Sequence, residues 1–416
     1  MNVPKLRFAN FKIDWEENII SQLVQSMDAG VSVNSEDRKP IDEEYSVLKT
    51  SCVTHGVFSG TERKAVTEEI EVSRLKEPLL DNSIVISRMN TPLLVGANAY
   101  IEFAPAKTFL PDRLWQIKVY KNVVDMRWLS LWLSNERNLE KVRSFATGTS
   151  DSMKNITKSD VMGINISVPD IQEQSKIATF LTAMDEKIAQ LTQKHTLLTQ
   201  YKKGVMQQIF SQELRFKNED GLEFADWESK SLGEIASFIK DGTHGTHQDS
   251  EDGEYYLLSA KNVLNGKINY DDSDRRISKN EFDSIYKNYN LKEGDVLLSV
   301  VGTIGRVAIY SSEFHKVAFQ RSVAFFRFYN QSSQFIAQLF TSTEFQNLLL
   351  VNQVVSAQPG IYLGDLAKII VNIPSLAEQT KIATFLTAID DKLTHTKAQL
   401  NAVKQYKQAL LQQMFV

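Results

Sequence analysis

The end of this chain restates, without a gap, a stretch from its middle. Pro169 to Phe210 and Pro374 to Phe415 align at an offset of 205 and are identical at 19 of 42 positions. The densest block is Glu173-Gln174-Ser175-Lys176-Ile177-Ala178-Thr179-Phe180-Leu181-Thr182-Ala183. It returns as Glu378-Gln379-Thr380-Lys381-Ile382-Ala383-Thr384-Phe385-Leu386-Thr387-Ala388, one position changed. Such self-similarity limits the fold more than any composition value, because whatever the unit is, it must be built twice. Fainter echoes run in the same order through the rest. Leu6-Arg7-Phe8 returns as Leu214-Arg215-Phe216, and Asp14-Trp15-Glu16 as Asp226-Trp227-Glu228. Tyr45, Leu48, Val53 and Gly56 return as Tyr255, Leu258, Val263 and Gly266 at an offset of 210. The repeated segments are close copies while the sequence before each has diverged. That pattern predicts one shared scaffold carrying two heads, each tuned to something different.

The copied segments read as helices. Pro169 and Pro374 stand at helix-start positions just after the apolar runs Ile164–Val168 and Ile369–Ile373. From there apolar positions step by four and three. The first series is Ile177, Leu181, Met184, Ile188, Leu191, His195, Leu198, Lys202, Val205 and Ile209. The second is Ile382, Leu386, Ile389, Leu393, Thr396, Leu400, Val403, Lys407, Leu410 and Met414. A heptad seam of this length predicts a coiled-coil pair, each rod about 60 Å long. In the repeat alignment the weak slot His195 matches Leu400, and Thr396 matches Leu191. Lys202 and Lys407 share a late slot, where their stems can snorkel or meet another chain. A solitary amphipathic helix on each head is the plainer alternative. Strand-like runs at Ile84–Ser87, Leu114–Val119, Asp295–Val301 and Val323–Phe328, with helical patches at Arg127–Arg143 and Gln334–Leu350, make each head mixed. The expected class is α+β: two pseudo-symmetric α/β heads joined by two long coiled-coil helices. The expected boundaries are 1–168 and 211–373 for the heads, 169–210 and 374–416 for the helices.

With 416 residues, two or three cores are expected. The single cysteine, Cys52, fits a reducing compartment, and neither a signal-peptide core nor a membrane-length apolar run is found, so the expected location is cytoplasmic. Lys+Arg 47 against Asp+Glu 51 leaves a net charge of −4, mildly unusual for a chain dominated by phosphate contacts. A neutral average permits a basic groove, and it permits a partner that supplies part of the positive surface.

Catalytic motifs are scarce. No Pro-Pro pair, no strand-linked Gly-x-Gly-x-x-Gly and no phosphate-binding Gly-Lys-Ser/Thr occurs, so no amino-methyltransferase, dinucleotide or NTPase site is expected. His244-x-x-His247 is half a zinc pattern without its other half, and no metal is expected. Pro169-Asp170 with Asp185-Glu186-Lys187 loosely fits a metal-dependent nuclease, but it lies on the repeated helix and its twin has Ser375 in place of the acid. Gly302-Thr303-Ile304-Gly305-Arg306 is either a phosphate cradle or a tight structural turn. No catalytic residue is assigned.

For nucleic-acid contact, the informative loops mix Lys and Arg with Asn, Gln and Thr. The candidates in the first half are Lys49, Thr50, Ser51, Arg88, Asn90, Arg113, Lys154 and Asn155. In the second half they are Thr243, His244, Thr246, Lys261, Asn262, Arg306, Gln320 and Arg321. Arg can take guanine bidentately, Asn and Gln can take adenine, and Lys mostly meets phosphate. Taken singly, each residue reads first as an ordinary surface group, and the set supports DNA contact only once the architecture is admitted.

The pattern Ile-x-Val-Pro-x-x-x-Glu-Gln-x-Lys-Ile-Ala-x-Phe-Leu-x-x-x-Asp at Ile166 to Asp185, repeated in near-identical form at Val371 to Asp390, resembles the helical region of type I restriction–modification specificity subunits. The Gly294-Asp295-Val296-Leu297 stretch leading to Gly302-x-x-Gly305-Arg306 is similar to the target recognition domain of that family. The resemblance implies that each head reads one half of a bipartite double-stranded DNA site. It implies that the two long coiled-coil helices pack antiparallel, set the spacer between half-sites and dock modification subunits, two per chain. Those subunits would carry S-adenosylmethionine and methylate adenine, and restriction subunits would join with ATP and Mg. This chain would bind no cofactor, sit in no membrane and do no chemistry. One departure stands out: the first half has Asn82-Ser83 where the second has Gly294-Asp295, and no Gly-x-x-Gly follows. The competing readings are an orphan specificity-like chain, or a coiled-coil adaptor that binds only proteins.

Overall fold

The computed structural model describes residues 3–41, 43–54, 56–150, 152–287, 289–354 and 359–415, with residues 149–150 described by backbone alone. The chain is α+β and divides into two compact units, Met1–Leu191 with Gln399–Val416, and Thr192–Ala398. The division passes through the middle of both long helices, not through their junctions with the heads. Each unit therefore owns one head and part of each helix. Among the described residues no helix is long and apolar enough to cross a membrane.

In the first unit the head is built on a four-stranded antiparallel sheet in the order Val24–Ala29, Leu114–Val119, Ser83–Ser87, Asn98–Ile101. A smaller sheet pairs Thr108–Phe109 parallel to Tyr45–Leu48, which is antiparallel to Arg63–Val66. Successive strand residues point to opposite faces, and both faces of this sheet are covered. Ile84 and Ile86 pack with Trp15, Trp128, Trp132, Ile177, Leu181 and Phe415. Val85 turns the other way, to Cys52, Leu110 and Leu114. Each large side chain buried this fully stabilises the fold by roughly 1.5–3 kcal/mol.

The second unit repeats the topology. Its main sheet runs Ala236–Asp241, Val323–Phe328, Val296–Ser299, Val307–Ile309, and Val317–Phe319 lies parallel to Tyr255–Leu258. Val296 and Leu298 face Ile209, Phe335 and Leu386, while Leu297 faces Phe319 and Phe325. The sequence difference before the third strand is a difference of chemistry, not of path. Asn82 (φ 49°) and Gly294 (φ 86°) both hold a left-handed bend, which Gly adopts freely and Asn tolerates better than most residues. Beyond the bend, Ser83 donates to Leu80 O at 2.7 Å, whereas buried Asp295 accepts two bonds from Arg327 at 2.8 and 2.7 Å.

Each helical patch before the last head strand is two helices rather than the single one expected. Met126–Ser134 gives way to Glu136–Ser144 at Asn135, and Ser333–Thr341 to Thr343–Asn352 at Ser342. Both junction residues have extended backbone, and their side-chain oxygens accept from N–H groups of the following turn. Short polar side chains of this kind favour a helix start over a helix interior.

The long helices run Ile171–Phe210 and Leu376–Met414. In the first unit Ile177 and Leu181 share a core with Leu410 and Met414, and Lys407 Nζ meets Asp185 at 2.5 and 2.7 Å. In the second, Val205 and Ile209 share a core with Ile382 and Leu386, and Lys202 Nζ meets Asp390 at 2.7 and 2.8 Å. In both units ascending numbers on one helix meet descending numbers on the other, so the helices pack antiparallel. All the seam positions, from Ile177 to Ile209 and from Ile382 to Met414, are buried or half-buried. The weak slot Thr396 is fully buried and returns its hydroxyl to Lys392 O at 2.7 Å, while His195 stays half-exposed. The seam lysines take their partners from within the chain.

The repeated Glu-Gln pair anchors each head to its helix. Glu173 and Glu378 are fully buried, as are Gln174 and Gln379. Arg7 donates to both Glu173 oxygens at 2.7 Å, and Arg215 to those of Glu378 at 3.2 and 2.8 Å. Each carboxylate holds its guanidinium pKa above the ordinary value, chiefly through these bonds. Gln174 accepts from Asp125 N at 2.8 Å and donates to Pro169 O and Val123 O. Gln379 accepts from Ser332 N at 2.9 Å and donates to Pro374 O. Phe8 then packs edge-on against Phe180, and Phe216 against Phe385. The faint Leu-Arg-Phe echo is thus the partner of the strong helical repeat.

Replacing Glu173 or Glu378 with Ala leaves a largely buried guanidinium without its carboxylate, and about 3 kcal/mol of stability should be lost. Asp185→Ala removes a half-exposed rod pair and should cost less than about 1 kcal/mol. Urea unfolding of the three variants checks the ranking. Burial pushes the Cys52 thiol up to about 12, so a thiol reagent at neutral pH should label the chain only after unfolding.

Candidate functional site

At the same point in each head, two loops approach so closely that only glycine fits between them. Gly30 ends the strand Val24–Ala29, and a Cβ there would lie 1.6 Å from Leu110 O. Gly242 ends Ala236–Asp241, and a Cβ there would lie 2.1 Å from Phe319 O. The neighbouring loop in each case precedes the second strand of the main sheet, at 110–113 and 319–322. In the second head the two loops are stitched by backbone bonds, Thr243 N to Phe319 O at 2.9 Å and Arg321 N to Thr243 O at 3.0 Å. The sequence marks Gly242 only as the start of a turn, Gly242 to Gly245, and does not single out Gly30. The available signal was their shared offset of 212, which is also that of the bend residues Asn82 and Gly294.

This junction gathers the second head's candidates. Thr243, His244, Thr246, Gln320 and Arg321 line one open cleft of about 270 Å³ together with Gly245, His247 and Arg275. Thr243 Oγ1 lies 2.7 Å from His247 Nε2, and His247 Nδ1 lies 2.6 Å from Glu281. His244 Nε2 is 2.8 Å from Asp241. The two histidines therefore serve different carboxylates, and no group of three or more metal-ligating side chains occurs among the described residues. Ala260 N donates to Ser322 Oγ at 3.0 Å, which brings the short turn Ala260–Asn262 to the same loop. Arg306 donates to Ala260 O at 3.2 Å, and Lys261 pairs with Asp274 at 2.7 Å. Asn262 does not reach the surface: it is buried, and its amide donates to Asn269 O and Asp274. Burial works against the ionisation of Asp274, but the bonds from Asn262 and Lys261 outweigh it and its pKa is lowered.

In the first head Arg88, Asn90, Arg113, Lys154 and Asn155 come together. Lys154 pairs with Asn90 and Asn155 with Met89 in a short antiparallel ladder, and Arg88 N donates to Arg113 O at 3.1 Å. The Arg88 guanidinium lies over the Trp115 ring. Lys154 Nζ donates to Gly148 O at 3.0 Å, and the buried Asn155 Oδ1 has no partner among the described residues. Thr50 and Ser51 form the turn Thr50–Cys52, the counterpart of Ala260–Asn262 at an offset of 210. Lys49 pairs with Asp37 and Ser51 with Glu62, so this trio is tied into its own neighbourhood.

The Gly302–Gly305 segment is a structural turn. Both glycines have positive φ, Gly302 N donates to Pro359 O, Gly305 N to Ser299 O, and Arg306 N to Ser299 Oγ. Those N–H groups are committed to protein oxygens and cannot cradle a phosphate. The nuclease-like acids separate as well. Asp170 caps the first long helix through Gln172 N and Glu173 N, and Asp185 meets Lys407.

The arginines sort the surface further. Most hold a carboxylate, a hydroxyl or a carbonyl. Among the described residues, the side chains of Arg113, Arg137 and Arg321 make no hydrogen bond, ion pair or ring contact, and all three are exposed. Arg113 and Arg321 occupy the equivalent glycine-closed loops.

The profile of the type I restriction modification DNA specificity domain matches residues 12–200 and again 225–405. The MjaVIII type I restriction enzyme specificity subunit of Methanocaldococcus jannaschii is 24% identical over 418 residues, covering 96% of this chain and 91% of that protein. The EcoBI specificity subunit of Escherichia coli is 23% identical over 291 residues, covering 62% and 60%. Among solved structures, the type I restriction-modification S subunit from M. genitalium superposes with a TM-score of 0.61 at 17% identity, over 100% of this chain and 99% of that one.

Gly242→Ala must drive the two loops of the second head apart, and Gly30→Ala those of the first. Each should cost about 1–3 kcal/mol, as overpacking does. Gly204, mid-helix with open space around it, is the control: Gly204→Ala should stabilise by about 0.5–1 kcal/mol. Denaturant midpoints of the three variants check the contrast.

Proposed function

This chain belongs to the type I restriction modification DNA specificity family, and on that premise we propose that each head reads one half of a bipartite DNA site. The reading rests on one observation above all. The same glycine-closed loop junction is built in both heads, yet the side chains it presents differ. The second head offers Thr243, His244, Thr246, Gln320 and Arg321, and the first offers Arg113 beside Arg88, Asn90, Lys154 and Asn155. A common frame with unlike contacts is what two unequal half-sites require.

In this reading residues 1–168 and 211–373 are the recognition heads, and the helices 169–210 and 374–416 set the spacer. The rods also dock the modification subunits, which carry S-adenosylmethionine and transfer the methyl group to adenine. Restriction subunits join the assembly with ATP and Mg. The chain itself supplies recognition and no chemistry. With a net charge of −4, it contributes contacts and leaves part of the phosphate attraction to its partners.

The test is to express the chain with its modification subunit and map methylated adenines across a host genome. The expected outcome is one bipartite motif with a constant spacer. Exchanging residues 1–160 for the head of another family member should change one half-site and leave the other intact. A change in both half-sites would refute the modular reading, and methylation or binding that ignores sequence would favour a protein-only adaptor. Leu181→Lys with Leu386→Lys puts charge into the seam and should abolish methylation of the bipartite site. Unchanged methylation would refute the spacer role.

A further inference from the structure

We infer that Arg113 and Arg321 are the guanine-reading residues of their respective heads, so that each half-site contains a guanine at the position its arginine reaches. The inference rests on the bipartite reading above and adds the base and the residue.

The two residues lie in the same connection of the topology, one position out of register, since Arg88 N donates to Arg113 O as Val300 N donates to Ser322 O. Arg113 lies between Thr108–Phe109 and Leu114–Val119, and Arg321 between Val317–Phe319 and Val323–Phe328. In each case the backbone is held while the side chain is left free. Arg113 O accepts from Arg88 N at 3.1 Å, and Arg321 N donates to Thr243 O at 3.0 Å. Among the described residues neither guanidinium has a partner, although the second head's surface near Arg321 carries the ion pairs Lys261–Asp274 and Arg275–Asp249. Within the second head's cleft, Arg275 is already neutralised by Asp249, which leaves Arg321 as the uncompensated cation among the lining residues. A pinned backbone with a free five-donor fork is a donor organised before its acceptor arrives.

A base edge suits this site better than a phosphate. Phosphate sites combine several cations with free backbone N–H groups. Here the N–H groups of Gly242, Thr243, Gln320 and Arg321 all donate to protein carbonyls. His244, His247 and Arg275 in the same lining are each bonded to a carboxylate, and the remaining polar neighbours of Arg321 are the neutral Gln320, Thr243 and Thr246, groups that suit base edges. Among base edges, guanine O6 and N7 match a guanidinium bidentately.

The test uses the chain in complex with its modification subunit, with Arg321→Ala, Arg321→Lys and the matching Arg113 pair. Arg137→Ala serves as control, since Arg137 is equally exposed and unpaired but lies on the helix Glu136–Ser144. Binding to duplex libraries randomised across both half-sites, together with the methylated-site map, gives base preference at every position. Arg321→Ala should lower the preference for guanine about 10- to 100-fold at one position of one half-site, with the other half-site unchanged. Arg321→Lys should fail to restore it, because an ammonium cannot make the paired bonds. Arg113→Ala should do the same in the opposite half-site, and Arg137→Ala should alter no preference. Three results would overturn the inference: full rescue by Lys, uniform weakening with a salt slope smaller by about 1 and unaltered base preference, or no effect at all. A wild-type complex that shows no bipartite preference would instead defeat the underlying reading, and this inference with it.

Discussion

The buried ion pair at the start of each long helix is the interaction on which the architecture turns. Glu173 and Glu378 are wholly removed from water, and a carboxylate in that position is tolerable only with its charge matched and its oxygens bonded. Arg7 and Arg215 supply both conditions and arrive from segments far away in sequence. The adjacent glutamine bonds the backbone that leads into the first helix of each head pair. Two neighbouring residues therefore bind three things together: the segment entering a unit, the helical face of its head and the long helix. The requirement is stringent, and it accounts for the near-exact copying of the block that contains it.

The long helices and their seam were legible because heptad spacing is a periodic signal, and every seam position is withdrawn from full exposure. The Lys202 and Lys407 slots were legible as exceptions but not as pairs. Their carboxylates, Asp390 and Asp185, lie on the other helix, and only an antiparallel register identifies them. The strands Leu114–Val119 and Val323–Phe328 announced themselves by composition, whereas the helix breaks at Asn135 and Ser342 did not. A capping side chain within an otherwise helical pattern looks like a tolerated polar residue until its backbone angles are seen.

Loop chemistry was partly legible. Thr243, His244, Thr246, Gln320 and Arg321 were picked from two separate stretches as mixed polar and basic residues, and the fold brings them to one cleft. Asn262 has the same residue chemistry and points inward, because its amide closes a turn. Residue type cannot separate these cases, since both depend on contacts made across many residues of chain. The close approach at Gly30 and Gly242 escaped for a related reason. Their importance lies in an atom they lack, and it becomes visible only against the carbonyls of Leu110 and Phe319.

The alternation along Ser83–Ser87 and Val296–Ser299 has a further meaning for how such a molecule can change. Ile84, Ile86, Val296 and Leu298 look toward the helices, and Val85 and Leu297 look toward the small sheet that precedes the glycine-closed loops. One layer is bound to the inherited frame, and the other is free of it. A substitution in the outer layer can reshape a loop while leaving the helical joint undisturbed. Drift and recombination can then remodel the outer side of one head without renegotiating its joint with the helices.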